Sequence, residues 1–457
     1  MNINDKLSYG DESPIAALAT AVTVSALAVI RLSGKGTIEL LSRVFSRPSI
    51  LKNAAGNTVV YGWITAPEKI DEVLVSVYRA PRSYTGEESA DLSCHGGISA
   101  VQDIMAALLR SGFREALPGE FTFRAFINGK LDLTRAESVM ELVAAKTGAA
   151  RANAVERLFG ALETKIRMIK EQIVTVLAEV ELNLDYSEDD GIVAENERLP
   201  ACDNLKNALE LLRELAGGYA CEKLYRDGAH VVLAGPPNAG KSSLFNLLLR
   251  EERSIVTHIP GTTRDWIEAW ISIKGIPVCI IDTAGLRDSG DDIEKIGIEK
   301  SRHLIHSADL VVFMIDGTNY NGVIPVELKN FDKNKIIFVW NKTDIVQNPK
   351  NSGFFSLSVK TEQGIVELIN LISLKIENLY QKNKKDDVGL GSDRQKILVD
   401  TAVAALQNTL DMAENGQPLD IISVELHAAV RALGEITGEV STGDLLEIMF
   451  SRFCVGK

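Results

Sequence analysis

The chain has 457 residues, of which 46% are hydrophobic and 24% charged, and its formal net charge is −13 at pH 7. This length predicts about two to four domains, and the composition is that of a soluble globular protein. The acidic balance argues against broad, purely electrostatic binding of nucleic acid, although it leaves room for a local basic face. The five cysteines form no C-x-x-C pair, so neither a zinc site nor a disulfide framework is predicted, as in a reducing cytoplasm.

The start of the chain predicts neither export nor a membrane span. Met1–Glu12 is polar and partly acidic, unlike a secretory signal. Ile15–Ile30 is apolar but short and interrupted by Thr and Ser, so we interpret it as a buried strand and turn. We therefore expect a cytoplasmic protein without a membrane partner.

Residues 1–126 alternate strand-like and helical patterns, which predict a small α+β domain. The strand-like runs are Ala26–Leu32, Val59–Ile64, Glu72–Tyr78 and Ala90–Cys94, and the helical ones are Gly36–Phe45 and Ile98–Ser111.

Helical patterns dominate two further regions. From Thr134 to Glu188 one apolar stripe recurs at helical spacing, which is typical of a bundle core. A second helix is predicted from Arg198 to Leu215, with Gly217–Gly218 as its C-cap. After a polar linker at 381–387 the chain is helical again from Asp393. The pattern therefore predicts an all-α domain in two parts, 127–227 and 381–457, interrupted by an α/β domain at 228–380.

Gly235–Ser242 matches the phosphate-binding pattern G-x-x-x-x-G-K-[ST]. It follows the apolar run His230–Ala234 and precedes the helical pattern Ser243–Leu249, so we expect a strand, a loop and a helix. In such a loop, backbone N–H groups surround a phosphate chain, Lys241 reaches the outer phosphates and the Ser242 hydroxyl binds Mg²⁺.

Further motifs follow in the order expected of a GTPase. Ile255–Asp265 and Asp282–Gly285 predict switch segments, with a carboxylate near the magnesium shell and a glycine at the γ-phosphate. Asn341–Asp344 ends a buried strand, and the Asp344 carboxylate can accept from two guanine N–H groups. Adenine cannot supply them, so the motifs predict GTP. The segment Ser356–Lys360 would bring a backbone N–H to the guanine oxygen.

Leu286 stands where Ras-type enzymes carry a water-orienting glutamine, and leucine cannot orient water. The acidic run Asp288–Glu294 offers candidates for that role. It is equally consistent with a solvated switch segment.

Stretches outside the nucleotide motifs carry a resemblance to a known family. They are Ser83–Gly97, Pro118–Leu133, Leu433–Val440 and Phe453–Lys457. Together they resemble the MnmE (TrmE) family of tRNA uridine modification GTPases, over nearly the whole chain.

The resemblance implies a multidomain protein: an α+β N-terminal folate-binding and dimerising domain, an all-α helical domain, and an inserted Ras-like P-loop GTPase domain. It also implies a homodimer that acts with the flavin protein MnmG (GidA), in a heterotetramer or larger complex. In that family the pair adds an aminomethyl or carboxymethylaminomethyl group to the wobble uridine of tRNA. The cofactors implied are GTP, Mg²⁺, K⁺ and formyl- or methylene-tetrahydrofolate.

Family roles carry over to matching positions. Glu294 would orient the attacking water, and Cys454 would be a reactive thiol beside Lys457. Magnesium ligands would be Ser242 and Thr263, and potassium ligands Asn238, Thr257, Ile259 and Thr262. Folate would contact Arg31, Asp91, Lys130 and Lys457. The GTP-binding residues would be Asn238, Ala239, Gly240, Lys241, Ser242, Ser243, Thr257, His258, Ile259, Pro260, Gly261, Thr262, Thr263, Asp282, Thr283, Ala284, Gly285, Asn341, Lys342, Asp344, Ser358, Val359 and Lys360.

The chain departs from the family pattern at several positions. Ala21–Ala26 replaces a Pro- and Gly-rich loop, and β-branched residues resist the close approach to a ligand that glycine permits. Asp91 replaces a Glu, His258 and Pro260 replace an Asp and an Ala, and Val359 replaces an Ala.

Some alternatives remain open at this point. Cys454 is either a reactive thiol or a small residue packed at a helix end. His95 fits a structural turn residue better than a catalytic one. Besides a tRNA-modifying GTPase, the sequence allows an RNA-binding switch of the ribosome-assembly type, or a folate-binding module that GTP regulates.

Overall fold

The structure is a computed structural model that describes residues 8–190, 202–251, 254–255, 267–283, 303–319, 328, 331–349, 353–380 and 388–456. The chain divides into two compact units. Unit 1 contains residues 1–140, 166–170 and 427–457, and unit 2 contains 141–165 and 171–426. Among the helices of the described ranges, none is both long and apolar enough to cross a membrane.

Unit 1 is built on a six-stranded sheet in the order β3-β4-β5-β2-β1-β6. Its strands are β1 Ile15–Leu18, β2 Ser25–Ser33, β3 Thr58–Thr65, β4 Lys69–Tyr78, β5 Ser89–Gly96 and β6 Arg114–Glu115. The helices of this segment are α1 Thr37–Ser42, α2 Pro48–Asn53, α3 Ile98–Ser111 and α4 Glu120–Ile127. The predicted α+β architecture is confirmed, since every predicted strand is present and α3 has the predicted bounds.

One face of this sheet packs against the core, where Ile30, Val75 and Leu92 are fully buried. The other face exposes large apolar side chains, because residues alternate along each strand. The predicted buried turn after β1 is wrong: Val22, Val24 and Leu27 are exposed. Only Ile15–Leu18 and alternate residues of β2 lie in the interior, so the apolar run is split between the core and the surface.

Helices make up most of the other described residues of 133–227 and 388–456. They are α5 Leu133–Ala144, α6 Gly148–Leu158, α7 Ala161–Asp190 and α8 Cys202–Asp227, followed after the second sheet by α11 Asp393–Glu414, α12 Leu419–Thr437 and α13 Gly443–Phe450. The predicted stripe of α7 is buried from Leu162 to Val180.

The predicted C-cap at Gly217–Gly218 is wrong, because α8 continues through both glycines to Asp227. The helix ends at Gly228, whose φ of 82° is left-handed. Two glycines inside a helix cost about 1 kcal/mol each relative to alanine. Burial of Leu205, Leu212 and other apolar residues of α8 outweighs that cost.

Unit 2 contains a seven-stranded sheet in the order β13-β12-β11-β7-β10-β9-β8. The strands are β7 Ala229–Ala234, β8 Ser254–Ile255, β9 Ile267–Ile273, β10 Ile276–Asp282, β11 Leu310–Asp316, β12 Ile336–Asn341 and β13 Phe355–Ser356. The same region contains the helices α9 Lys241–Glu251 and α10 Ile365–Leu379. β7 pairs in parallel with β10 on one side and β11 on the other. Both sheet faces are covered: Val231 belongs to one buried cluster and Val232 to another. This burial explains the continuous apolar runs of the central strands.

A buried ionic cluster lies next to the helices of unit 2. Arg157 donates to Glu141 at 2.8 Å, to Glu222 at 2.8 Å and to the Gly389 carbonyl at 3.3 Å. Burial would lower the pKa of Arg157, but the two carboxylates raise it above its usual value. The cluster thereby joins α5, α6 and α8 to the segment that leads into α11. The predicted domain boundaries at 126, 227 and 380 remain a prediction.

Candidate functional sites

The phosphate-binding loop lies between β7 and α9, at the carboxyl end of the central strand. Gly235 and Gly240 have φ angles of 141° and 98°, and Asn238 is left-handed with φ of 58°. A Cβ on Gly235 would come 2.1 Å from the Met314 carbonyl oxygen. The loop thus needs glycine where it approaches the neighbouring strand.

Lys241 begins α9, and its side chain is buried under the loop. Its ammonium group donates to the carbonyls of Gly235 at 2.9 Å and Pro236 at 3.0 Å. Asn238, Ser242 and Ser243 are exposed on the loop and the first turn of the helix. The arrangement presents backbone N–H groups, a helix N-terminus and a lysine to an anion.

Asn341 ends β12 and joins the phosphate-binding loop to the two segments predicted to recognise the base, Asn341–Asp344 and Ser356–Lys360. Its side-chain N–H donates to the Ala239 carbonyl at 2.8 Å, and its Oδ1 accepts from the backbone of Lys342 at 2.8 Å and of Val359 at 3.1 Å. Asn341 is 3% exposed. It therefore holds three segments of the candidate nucleotide site together.

Asp344 lies beside Ser358 in this site. The Ser358 hydroxyl donates to Asp344 Oδ1 at 2.7 Å, which orients the carboxylate. The second predicted guanine contact is a backbone N–H of the segment Ser356–Lys360, which contains Val359. In this structure the Val359 N–H is bonded to Asn341 rather than directed freely toward a ligand.

Asp316 is a site residue that the sequence reasoning missed. It ends β11, and its carboxylate accepts from Lys342 Nζ at 2.5 Å and from the Thr318 hydroxyl at 2.6 Å. Burial would raise the pKa of Asp316, but the bonds from Lys342 and Thr318 hold it below its ordinary value. The sequence carries the same indication at Asp316 as at Asp282, since each is a carboxylate residue at the end of an apolar strand.

Asp282 ends β10 and is 1% exposed. The next residue, Thr283, donates its hydroxyl to the Leu233 carbonyl of the central strand at 2.9 Å. This bond places the start of the predicted second switch beside the phosphate-binding loop. The Ser242 hydroxyl and the nearby carboxylate are oxygen donors of the kind that Mg²⁺ prefers, so these residues fit the predicted ion.

Several predicted site residues lie outside the described residues. They are Thr257, His258, Ile259, Pro260, Gly261, Thr262, Thr263, Ala284, Gly285, Leu286, Glu294 and Lys457.

Unit 1 contains a second candidate site, a cavity of about 460 Å³ beside the sheet. Three of the predicted folate residues line it: Arg31 on β2, Asp91 on β5 and Lys130 after α4. Arg31 Nε donates to Asp91 Oδ1 at 3.1 Å, and Lys130 Nζ donates to the Pro81 carbonyl at 3.1 Å. The shorter Asp91 side chain therefore still reaches the arginine.

Aromatic rings complete this cavity. The Arg31 guanidinium lies 5.8 Å from the ring centroid of Tyr84 and 5.9 Å from that of Phe121. The Tyr84 hydroxyl is within 2.9 Å of Thr122 Oγ1, and burial raises the pKa of Tyr84. A cavity with aromatic walls and fixed cations suits a flat, polar, anionic ligand.

Cys454 lies on the turn that follows α13, and its side chain is exposed. Its carbonyl accepts from the Gly119 N–H at 3.3 Å. The exposure of this side chain contradicts the alternative of a small residue packed at a helix end.

His95 is a residue of β5 and does not lie in a turn. Its Nδ1 is 2.7 Å from Asp71 Oδ1, and its backbone N–H donates to Asp71 Oδ2 at 2.8 Å. The hydrogen bond to Asp71 and the charge of that carboxylate raise the pKa of His95. The residue joins β4 to β5, which is a structural role.

The chain is similar to known proteins over its whole length. The family model described as "MnmE helical domain" matches residues 133–454, and "GTP-binding protein TrmE N-terminus" matches residues 14–130. The tRNA modification GTPase MnmE of Treponema denticola is 42% identical over 99% of this chain and 99% of that protein. The one from Borrelia recurrentis is 41% identical over 98% of this chain and 99% of that protein.

Solved structures match a part of the chain. Aquifex aeolicus Era bound to GDP and AlF4⁻ is 23% identical, covering 39% of this chain and 66% of that chain with a TM-score of 0.26. The G domain of the T. maritima iron transporter FeoB is 28% identical, covering 32% of this chain and 98% of that chain with a TM-score of 0.25.

Proposed function

The chain belongs to the MnmE family of tRNA modification GTPases, and on that premise we propose that it is the GTP-hydrolysing subunit of a complex that modifies the wobble uridine of tRNA in the cytoplasm. The proposed product carries an aminomethyl or carboxymethylaminomethyl group built from a one-carbon unit of formyl- or methylene-tetrahydrofolate. The proposed partner is the flavin protein MnmG (GidA), in a heterotetramer or larger complex.

The observation that carries the GTPase assignment is the link from Asn341 to the Ala239 carbonyl, which brings the phosphate-binding loop and the Asp344 segment into one site. Lys241 and the N–H groups of the loop bind the phosphates, and Asp344 selects guanine. Ser242 and Thr263 would hold Mg²⁺, and the bound ion would neutralise part of the phosphate charge.

Asp344→Asn should abolish discrimination of GTP against xanthosine triphosphate, measured by competition with a fluorescent GDP analogue. Unchanged discrimination would contradict the role of Asp344.

Hydrolysis is proposed to depend on potassium and on pairing of two nucleotide domains. Asn238, Thr257, Ile259 and Thr262 would hold K⁺, and Glu294 would orient the attacking water, since Leu286 cannot. The left-handed, exposed Asn238 at the outer surface of the loop supports this assignment. We expect faster GTP turnover in KCl than in NaCl at equal ionic strength. Equal rates would remove the potassium role.

Glu294 has its own test. Glu294→Ala should abolish hydrolysis while leaving GDP affinity unchanged, because the carboxylate acts on water and not on the nucleotide. Asp288→Ala in the same acidic run is the matched control. Loss of activity in both variants to the same degree would favour a solvated switch segment over a specific role for Glu294.

The cavity of unit 1 is the proposed folate site, formed by Arg31, Asp91, Lys130 and Lys457. Its support is the convergence of Arg31, Asp91 and Lys130 on one cavity with aromatic walls. Isothermal titration with 5-formyltetrahydrofolate should give a binding signal that Arg31→Ala removes. No signal in the unmodified protein would refute the assignment.

The proposed homodimer uses the exposed face of the unit 1 sheet. Tyr61 on β3 is paired with Leu74 on β4, and these side chains are 41% and 48% exposed. Val59 on the same face is 62% exposed. A contiguous apolar face of this kind marks an interaction surface. Leu74→Lys should convert the dimer to a monomer in analytical ultracentrifugation, whereas the exposed Val366→Lys on α10 should not.

The modification itself is tested in cells. Transfer RNA from a deletion strain should lack the modified wobble uridine, and the unmodified gene should restore it. Cys454→Ser should fail to restore it if the thiol takes part in the reaction.

The net charge of −13 leads us to propose that the partner supplies much of the tRNA-binding surface. A salt series of tRNA affinity for each protein alone separates the two contributions.

A further inference from the structure

Arg31 lies between the unit 1 cavity and the C-terminal turn of residues 451–456. Its Nε donates to Asp91 Oδ1 at 3.1 Å, while its Nη1 donates to the Gly456 carbonyl at 3.3 Å. The ring centroids of Tyr84 and Phe121 lie 5.8 and 5.9 Å from the guanidinium carbon. These contacts restrict the orientation of the planar guanidinium, so a displacement of Arg31 also affects the turn.

The C-terminal turn is anchored on both sides of Cys454. Before the cysteine, Phe453 packs on Phe450 with ring centroids 5.1 Å apart. At the cysteine, its own carbonyl accepts from the Gly119 N–H at 3.3 Å. After it, the carbonyl of Gly456 accepts from Arg31.

Gly456 also fixes how closely the turn approaches the sheet. Its φ is 89°, and a Cβ at this position would come 2.9 Å from both the Leu18 carbonyl oxygen and the Ala19 Cα atom. The backbone is therefore pressed against the end of β1. None of these anchors involves the Cys454 side chain, so the thiol stays exposed while the position of its backbone is constrained.

We propose that Arg31 is a positioning residue for Cys454, which links occupancy of the cavity to the placement of the turn that carries the thiol. This inference rests on the proposed function, in which the cavity takes a folate and Cys454 is the reactive thiol. The guanidinium has five N–H donors, so it can contact an oxygen of a cavity ligand while it keeps its bonds to Asp91 and Gly456. A ligand that immobilises Arg31 thereby also restrains Gly456 and the cysteine two residues before it.

The test is the rate at which iodoacetamide alkylates Cys454 in the full-length protein, with Cys202 and Cys221 replaced by serine. Arg31→Lys keeps the positive charge but cannot form the same fork to Asp91 and Gly456. We expect it to change the ligand-free alkylation rate by about two- to tenfold, the factor expected when one hydrogen bond is lost. Asp91→Asn, which keeps the arginine but weakens its anchor, should shift the rate in the same direction.

Arg82→Met is the matched control, since Arg82 lines the same cavity and, within the described part of the chain, makes no side-chain contact with the turn. Its ligand-free alkylation rate should equal that of the unmodified protein. Equal rates in the unmodified protein and Arg31→Lys, or equal changes in Arg31→Lys and Arg82→Met, would overturn the proposal. Melting temperatures identify any variant that fails to fold. If Arg31→Lys does not fold, the alkylation rate of Asp91→Asn tests the proposal instead.

A second measurement separates this proposal from the folate assignment. Saturating 5-formyltetrahydrofolate should slow alkylation of Cys454 in the unmodified protein, a response that a purely structural arginine would not give. If titration calorimetry detects no folate binding, the proposed folate site fails, whereas the ligand-free effect of Arg31→Lys still stands. If folate binds and the alkylation rate does not change, the link between the cavity and the turn is refuted.

Discussion

The side-chain N–H of Asn341 donates to the carbonyl of Ala239 at 2.8 Å, across 102 residues of sequence. This bond is buried, and it fixes the distance between the strand that carries the guanine-recognition motif and the loop that binds phosphate. In the proposed function, the two ends of the nucleotide are therefore recognised by segments that are already held together before the nucleotide binds.

Removal of this bond should weaken both stability and nucleotide binding. Asn341→Ala leaves the buried Ala239 carbonyl without its partner, so we expect the free energy of unfolding to fall by about 1–3 kcal/mol. GDP affinity should fall at least about tenfold, because the loop and Asp344 lose their common anchor. Thermal unfolding and titration with a fluorescent GDP analogue measure the two effects. Asn334→Ala, an exposed residue shortly before the same strand, should leave both unchanged.

Gly235 should tolerate no side chain. In Gly235→Ala the Cβ would lie 2.1 Å from the Met314 carbonyl oxygen, at a φ of 141°. We expect a loss of about 1–3 kcal/mol of stability and of measurable GDP binding. Gly217→Ala is the control, because that glycine is inside α8 with nothing within 4 Å of its Cβ position. It should stabilise the protein by about 0.5–1 kcal/mol in chemical denaturation.

The buried ionic cluster of unit 2 should be sensitive to the loss of its cation. Arg157→Ala leaves Glu141 and Glu222 together without their common partner, so we expect the free energy of unfolding to fall by about 3–5 kcal/mol. Arg431→Ala removes an exposed bond to Glu435 on α12 and should change it by less than about 0.5 kcal/mol. Urea denaturation measures both. Similar effects of the two variants would show that the cluster is not held away from solvent.

The contact of His95 with Asp71 predicts a pH-dependent stability. The pKa of His95 is raised in the folded protein, so its contribution is fully present below the unfolded value of about 6.5 and is lost as pH rises through the folded value. Besides Asp71, Glu72 adds charge that favours the protonated ring. The melting temperature of His95→Asn should therefore fall below that of the unmodified protein most at low pH. A difference independent of pH would contradict this prediction.

Local patterns in the sequence predicted the elements that carry the sites. The α+β pattern of unit 1, the phosphate-binding loop between β7 and α9, and the strands that end at Asp282 and Asn341 are all present. Such features depend on side-chain periodicity and on short motifs, which neighbouring residues determine. The predicted helix boundary at Gly217–Gly218 is wrong because the local tendency of two glycines to end a helix is outweighed by burial of apolar side chains along α8. That burial depends on segments distant in the sequence.

The sequence by itself therefore determined the type and order of the nucleotide motifs, from which guanine is the predicted base, because these motifs are short and ordered along the chain. Only the tertiary structure decided that Asp316 holds Lys342, that Arg31 reaches the Gly456 carbonyl 425 residues away, and that Cys454 is exposed between two backbone anchors. The physical reason is that such contacts depend on sheet order and on close packing between distant segments. No local spacing of residue types encodes either of them.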